Sequence, residues 1–123
     1  GGTICVVSHS LTPNILRDYR ENGLPEPALV YGWEVPKERR KPQPFALFDI
    51  MEKLHFTAGQ MLVLDDLKPG CDMAKAANVR FAAALWSNGI PEIEAFMRKN
   101  CGLCFKTVEA FGGYLFSGKE QTI

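Results

Sequence analysis

The stretch MLVLDDLKPG, residues 61–70, decides how this chain is read. Met61 to Leu64 form an unbroken apolar run, the mark of a strand buried on both faces, and it stops abruptly at two adjacent carboxylates, Asp65 and Asp66. In parallel α/β sheets the binding crevice lies at the carboxyl ends of the strands, so acids placed there point into it. Neighbouring carboxylates raise each other's pKa unless a cation or several donors hold them ionised, so the pair asks for a partner. Hard oxygen ligands favour Mg2+. The plainer alternative is that the pair ends a strand and caps the next helix, with Asp66 near its amino terminus and Pro69 in its first turn.

Outward from this stretch the chain alternates strand and helix. Thr3 to Val7 is β-branched and apolar and is followed by Ser8, His9 and Ser10. Thr12 is placed to cap a helix that carries Pro13 in its first turn, Ile15, Leu16 and Tyr19 on its apolar side, and Gly23 as its stop. Ala28 to Tyr31 reads as a short strand, and a polar, basic loop from Gly32 to Lys41 leads into Lys41-Pro42-Gln43-Pro44. Phe45, Leu47, Phe48, Met51 and Leu54 share a helical face, and Gly59 breaks the chain before the strand at Met61. A helix over Cys71–Ala77, a strand over Val79–Leu85 and a helix from Pro91 to about Lys99 come next. Leu103–Phe105 suits a small edge strand, Val108–Phe116 a short helix interrupted at Gly112-Gly113, and residues 117–123 a frayed tail. Apolar strands separated by helices predict one α/β domain over residues 1–123, a Rossmann-like, doubly wound and mostly parallel sheet with helices on both faces.

Composition narrows the function classes. The 123 residues carry 14 Lys plus Arg against 14 Asp plus Glu, so no global field draws in nucleic acid or an anionic membrane. No apolar run approaches the ~20 residues that span a bilayer, and the amino terminus lacks a leader pattern, so a cytoplasmic protein is expected. Cys5, Cys71, Cys101 and Cys104 do not have the spacing of a disulfide framework, and the lone CxxC of Cys101 and Cys104 does not complete a structural zinc site.

Three strand ends or the loops after them offer what a phosphate and its metal need. Ser8 supplies a hydroxyl beside backbone amides leading into a helix, Lys41 an ammonium before a stiff Pro-x-Pro, and Asp65 and Asp66 metal ligands. The order Ser, then Lys-Pro, then Asp-Asp is more specific than any of its parts. A phosphoacceptor receiver domain uses similar groups, but there the acid pair comes first and the lysine last.

With that order the chain resembles the core domain of the haloacid dehalogenase (HAD) superfamily, in its phosphoglycolate phosphatase and β-phosphoglucomutase branch. ICVVSHS, RRKPQPFAL and MLVLDDLKPGCDMAKAANV carry the resemblance, which runs from Thr3 to about Trp86. It implies a Mg2+-dependent phosphatase that hydrolyses a small phosphorylated metabolite through an aspartyl-phosphate. Ser8 and the His9 amide would hold the phosphoryl group, and Lys41 would neutralise the nucleophile and the transferring charge. Asp66 would bind Mg2+, with Asp65 contributing to or supporting its coordination shell. Asn78 stands where the family usually has glycine, a tolerable exchange because Asn also enters left-handed backbone conformations.

One departure outweighs these matches. The family's first motif, DxDxT, supplies the nucleophile and the acid–base, and this chain has none. Phe48-Asp49-Ile50-Met51 is the nearest imitation, with Met where the second Asp belongs and in a helical stretch, so Asp49 is not expected to be the nucleophile. In family order the missing motif and a helical cap would precede Thr3, and the chain reads as an incomplete core. The family's central strand lies between the strand ending at Ser8 and the one ending at Asp65. Its removal predicts that those two strands pair directly, or that a strand from a second copy or a missing N-terminal segment fills the gap. The alternative function is a non-catalytic module that keeps phosphate and metal contacts. His55 and both tryptophans, Trp33 and Trp86, are expected to be structural, and Arg39, Arg40 and Lys68 to be solvated surface cations unless an anionic ligand recruits them.

Overall fold

A computed structural model describes residues 2–117. The expected alternation is present. β1 (Cys5–Val7), α1 (Thr12–Glu21), β2 (Leu29–Tyr31), α2 (Phe45–Leu54), β3 (Leu62–Asp65), α3 (Lys68–Ala76), β4 (Arg80–Ala84), α4 (Pro91–Asn100), β5 (Leu103–Phe105) and α5 (Val108–Ser117) follow one another. Short 3-10 turns at Lys37–Arg39 and Ala58–Gln60 occupy the loops before α2 and β3. Every strand pairing is parallel, as crossover helices require. The protein is an α/β fold of the Rossmann-like kind. No helix among the described residues is long and apolar enough to cross a membrane.

The strands form two ladders instead of one sheet. β1 pairs with β2, Cys5 opposite Leu29 and Val7 opposite Tyr31, while β3, β4 and β5 make a separate three-stranded ladder. Of the two expected arrangements, direct pairing of β1 with β3 is not formed among the described residues. One apolar cluster explains the spacing: Ala46, Leu47 and Ile50 of α2, Met73 of α3 and Tyr31 of β2 pack together, with Val7 and Val63 both against them. Helices spanning both ladders fix their separation more firmly than a few edge hydrogen bonds would close it. A second consequence falls on β3. Leu64 is 41% exposed, so the strand expected to be buried on both faces is open on one; β3 is also the edge of its ladder, whose interior is β4, where Phe81 to Ala84 are all buried.

Helix boundaries show where local signals held. Asn78 has φ 57°, the left-handed conformation expected for it after α3, and His55 at φ 60° ends α2 in the same way. Gly23, at φ +68°, follows α1 as its stop. Thr12 is not the cap of α1. Leu11 holds that place without a side-chain bond, and Glu34 arrives from the loop after β2 to accept from the Thr12 N–H at 3.0 Å and from the Thr12 hydroxyl at 2.9 Å. Nor does Asp66 cap α3, whose N-cap is Leu67. Gly112-Gly113 does not interrupt α5, which runs through to Ser117. Phe111 and Tyr114 of α5 both lie against the Phe105 ring, 5.5 Å between centroids, and this aromatic packing offsets the poor helix propensity of the glycines. The fraying expected beyond Ser117 lies outside the described residues.

Candidate functional site

Ser8 is the first residue past β1, and its N–H still bonds the Tyr31 carbonyl at 2.9 Å, which holds it at the carboxyl edge of the β1–β2 ladder. Its hydroxyl oxygen accepts the Ser10 N–H at 3.0 Å, leaving the hydroxyl proton free for a ligand. Opposite, the loop after β2 folds back through Gly32, where a Cβ would stand 2.6 Å from both the Thr12 hydroxyl and the Glu34 carboxylate. Only glycine lets Glu34 reach the start of α1 there. Together these elements border an open pocket lined in part by Ser8, His9, Gly32, Arg39, Arg40 and Lys41.

Lys41 joins the two ladders. It precedes a cis peptide to Pro42, and its Nζ lies 2.8 Å from Asp65 Oδ2, with the two side chains only 12% and 17% exposed. Asp65 Oδ1 accepts the Asp66 N–H at 2.7 Å, so both oxygens of Asp65 are engaged. The acid pair thus has the cation its sequence asked for, drawn from a loop 24 residues away. Burial pushes the Asp66 carboxyl up, but hydrogen bonding with Ser87, with Asp65 and with Asn88 outweighs this and holds it below the usual carboxylate value. Asn88 Nδ2 stands 3.4 Å from Asp66 Oδ2, a long hydrogen bond from the loop after β4.

The expected site residues Ser8, His9 and Lys41 therefore line one pocket, and Asp65 is tied to it through Lys41; Asp66 is joined to Asp65 by its backbone N–H and otherwise faces Asn88. Asp49 lies elsewhere in role: the Tyr31 hydroxyl donates to it at 2.6 Å and Lys53 pairs with it at 3.0 Å, so it anchors α2 to β2. Its pKa is lowered, chiefly by the Tyr31 hydrogen bond and then by Lys53. Lys68 pairs with Asp72 at 2.7 Å, one helical turn on. Trp33, expected to be structural, packs against two residues of the pocket. It is 50% exposed, carries the Arg40 guanidinium 3.6 Å above its ring, and meets the His9 ring edge-on at 5.7 Å. The contributions of Trp33 and Asn88 were not legible beforehand, because each acts through a loop whose path only the packing sets.

Among the described residues no cluster of three or more His, Cys, Asp or Glu could hold a metal ion by itself. Mg2+ rarely uses such a cage; one or two carboxylates complete its shell with waters and phosphate oxygens. Asp66, held ionised by neutral donors, fits that demand as the protein carboxylate, with Asp65 beside it.

No protein-family model matches the sequence, and no curated protein does so either. Among solved structures the chain is similar to a HAD-superfamily hydrolase, subfamily IA, variant 1, from Geobacter sulfurreducens PCA. The TM-score is 0.58 at 17% identity, over 79% of this chain and 48% of that one. The likeness is one of fold, and this chain spans about half the length of that protein.

Proposed function

We propose that the chain is the phosphate- and Mg2+-binding part of a HAD-type phosphatase acting on a small phosphomonoester, of the phosphoglycolate phosphatase and β-phosphoglucomutase branch. The observation that carries this reading is the Lys41–Asp65 pair at 2.8 Å, which draws the acid tip of β3 to the pocket that Ser8 lines. The Ser8 hydroxyl and the His9 amide would hold the phosphoryl oxygens, and Lys41 would balance the charge that builds on them. Mg2+, when bound at Asp66, would supply further neutralisation of phosphate charge. Asp65 positions Lys41 and supports Asp66.

The attacking carboxylate lies outside these 123 residues, since no DxDxT occurs in them. It would come on an extended segment seated between β1 and β3, the two edges left unpaired within the described residues. A second reading, a non-catalytic phosphate-binding module, is favoured by the absence of any carboxylate among the pocket's described lining residues. Both readings expect the chain alone to bind inorganic phosphate with Mg2+ and to hydrolyse an aryl phosphate negligibly. Phosphate binding that survives Ser8→Ala and Lys41→Ala unchanged, measured by calorimetry, would remove both. Aryl phosphate turnover abolished by Asp66→Ala would instead show that the nucleophile is already present.

A further inference from the structure

The stretch from Ser8 to Leu11, which brings a hydroxyl and an amide to the pocket, has few bonds of its own. Its near end is fastened where the Ser8 N–H meets the Tyr31 carbonyl at 2.9 Å, and within it the Ser10 N–H donates to the Ser8 hydroxyl oxygen at 3.0 Å. Its far end, Leu11, is the N-cap of α1 and makes no side-chain cap bond. Further ties come from the loop after β2. The Trp33 N–H donates to the Ser10 carbonyl at 2.8 Å, and the Trp33 ring meets the His9 ring. Beside it, Glu34 takes both donors of Thr12: Oε2 accepts the N–H at 3.0 Å and Oε1 the hydroxyl at 2.9 Å. The two loops lie so close that a Cβ on Gly32 would stand 2.6 Å from the Glu34 carboxylate and the Thr12 hydroxyl, and 2.8 Å from the Ser10 carbonyl.

Glu34 is exposed and is not among the pocket's lining residues, so its charge by itself would only oppose an anion bound there. Its hydrogen bonds act the other way. We infer that Glu34 is a positioning residue for the phosphate loop: by tying the start of α1 to the loop after β2, it keeps the Ser8 hydroxyl and the His9 amide turned to the pocket before a ligand arrives. The inference rests on the phosphate reading of Ser8 and Lys41 and adds the group that preorganises it. A loop that holds the binding geometry only part of the time lowers the apparent affinity by that fraction, so a clasp on the free protein is read directly in ligand affinity.

Glu34→Ala and Glu34→Gln separate this clasp from the charge. Both remove the carboxylate, but glutamine keeps an oxygen in the place of Oε1, which lies 3.1 Å from the Thr12 N–H as well as 2.9 Å from its hydroxyl. In calorimetry with inorganic phosphate and Mg2+, Glu34→Ala is expected to bind about fivefold more weakly, the size of a lost side-chain contact at a helix amino terminus. Glu34→Gln is expected to recover most of that loss. Gly32→Ala, which drives a methyl between the same atoms, is expected to weaken binding in the same direction. Amide exchange followed by NMR reads the free protein: Glu34→Ala should quicken exchange at Ser10 and Trp33 and leave the Ser8 N–H, bonded to Tyr31, unchanged. Tighter or unchanged phosphate binding in folded Glu34→Ala, equal binding by the two Glu34 variants, or unaltered exchange at Ser10 and Trp33 overturns the inference and leaves the phosphate reading standing. Wild-type protein that binds no phosphate overturns both.

Discussion

Gly70 of α3 lies directly against the Asp65 carboxylate: a Cβ on this residue would fall inside contact distance of Asp65 Oδ2, the oxygen that receives Lys41. The glycine at the end of MLVLDDLKPG is therefore part of the site's packing. Gly70→Ala would improve helix propensity by up to about 1 kcal/mol in an exposed helix. Here the clash dominates. We expect a net loss of about 1–3 kcal/mol in urea unfolding, together with weaker phosphate binding as Asp65 and Lys41 are pushed apart. A stabilised Gly70→Ala protein would show that the close approach has no structural weight.

Lys41 and Asp65 form a largely buried pair, and removing one partner strands the other charge. Lys41→Met is expected to destabilise by about 3 kcal/mol. The double variant Lys41→Met/Asp65→Leu should recover much of that loss, because the cost comes from the unpaired ion more than from the missing attraction. Additive losses in a double-mutant cycle would refute this coupling.

Asp66 sets an acid limb. Its folded pKa lies below its unfolded value, so the native state binds this proton less readily and gains stability above the unfolded carboxylate value of 3.8. That gain is lost as pH falls through the lower, folded value. The stability difference between the wild type and Asp66→Asn should therefore be greater at pH 7 than near pH 2, as read by urea midpoints. A difference independent of pH would mean that the carboxylate is not held in its charged form.

Cys101 sits behind α3 with its Sγ 3.6 Å from that of Cys71 and 3.7 Å from Met97 Sδ. Burial first, and the neighbouring Cys71 thiol second, push its pKa up to about 12. With its thiolate disfavoured in the fold, Cys101 should be labelled by iodoacetamide far more slowly at pH 8 in the folded chain than in urea. Equal rates in the two states, followed by peptide mass spectrometry, would contradict the packing around this sulfur.

The open edges of β1 and β3 have a consequence in solution. One edge of each strand is unpaired among the described residues, and with Ile4 and Leu64 exposed beside them these edges favour association through backbone pairing. Sedimentation is expected to show concentration-dependent self-association that Leu64→Lys suppresses. A chain that stays monomeric at high concentration would show that the edges are covered by their own side chains.

Local chemistry made much of this molecule legible. Apolar runs of strand length, prolines in first turns and residues able to adopt positive φ located five parallel strands and their helices to within a few positions, because these signals act over one or two turns of chain. The hydroxyl, lysine and acid pair were also visible as residues at strand ends. Their order implied one shared crevice; the division of the sheet was hidden, because it depends on helices α2 and α3 setting the distance between two ladders. Glu34 replacing Thr12 at the start of α1 and Trp33 supporting Arg40 were hidden for the same reason. A sequence specifies the groups and their local backbone, whereas which charge meets which is decided by loops that pack only when the core has formed.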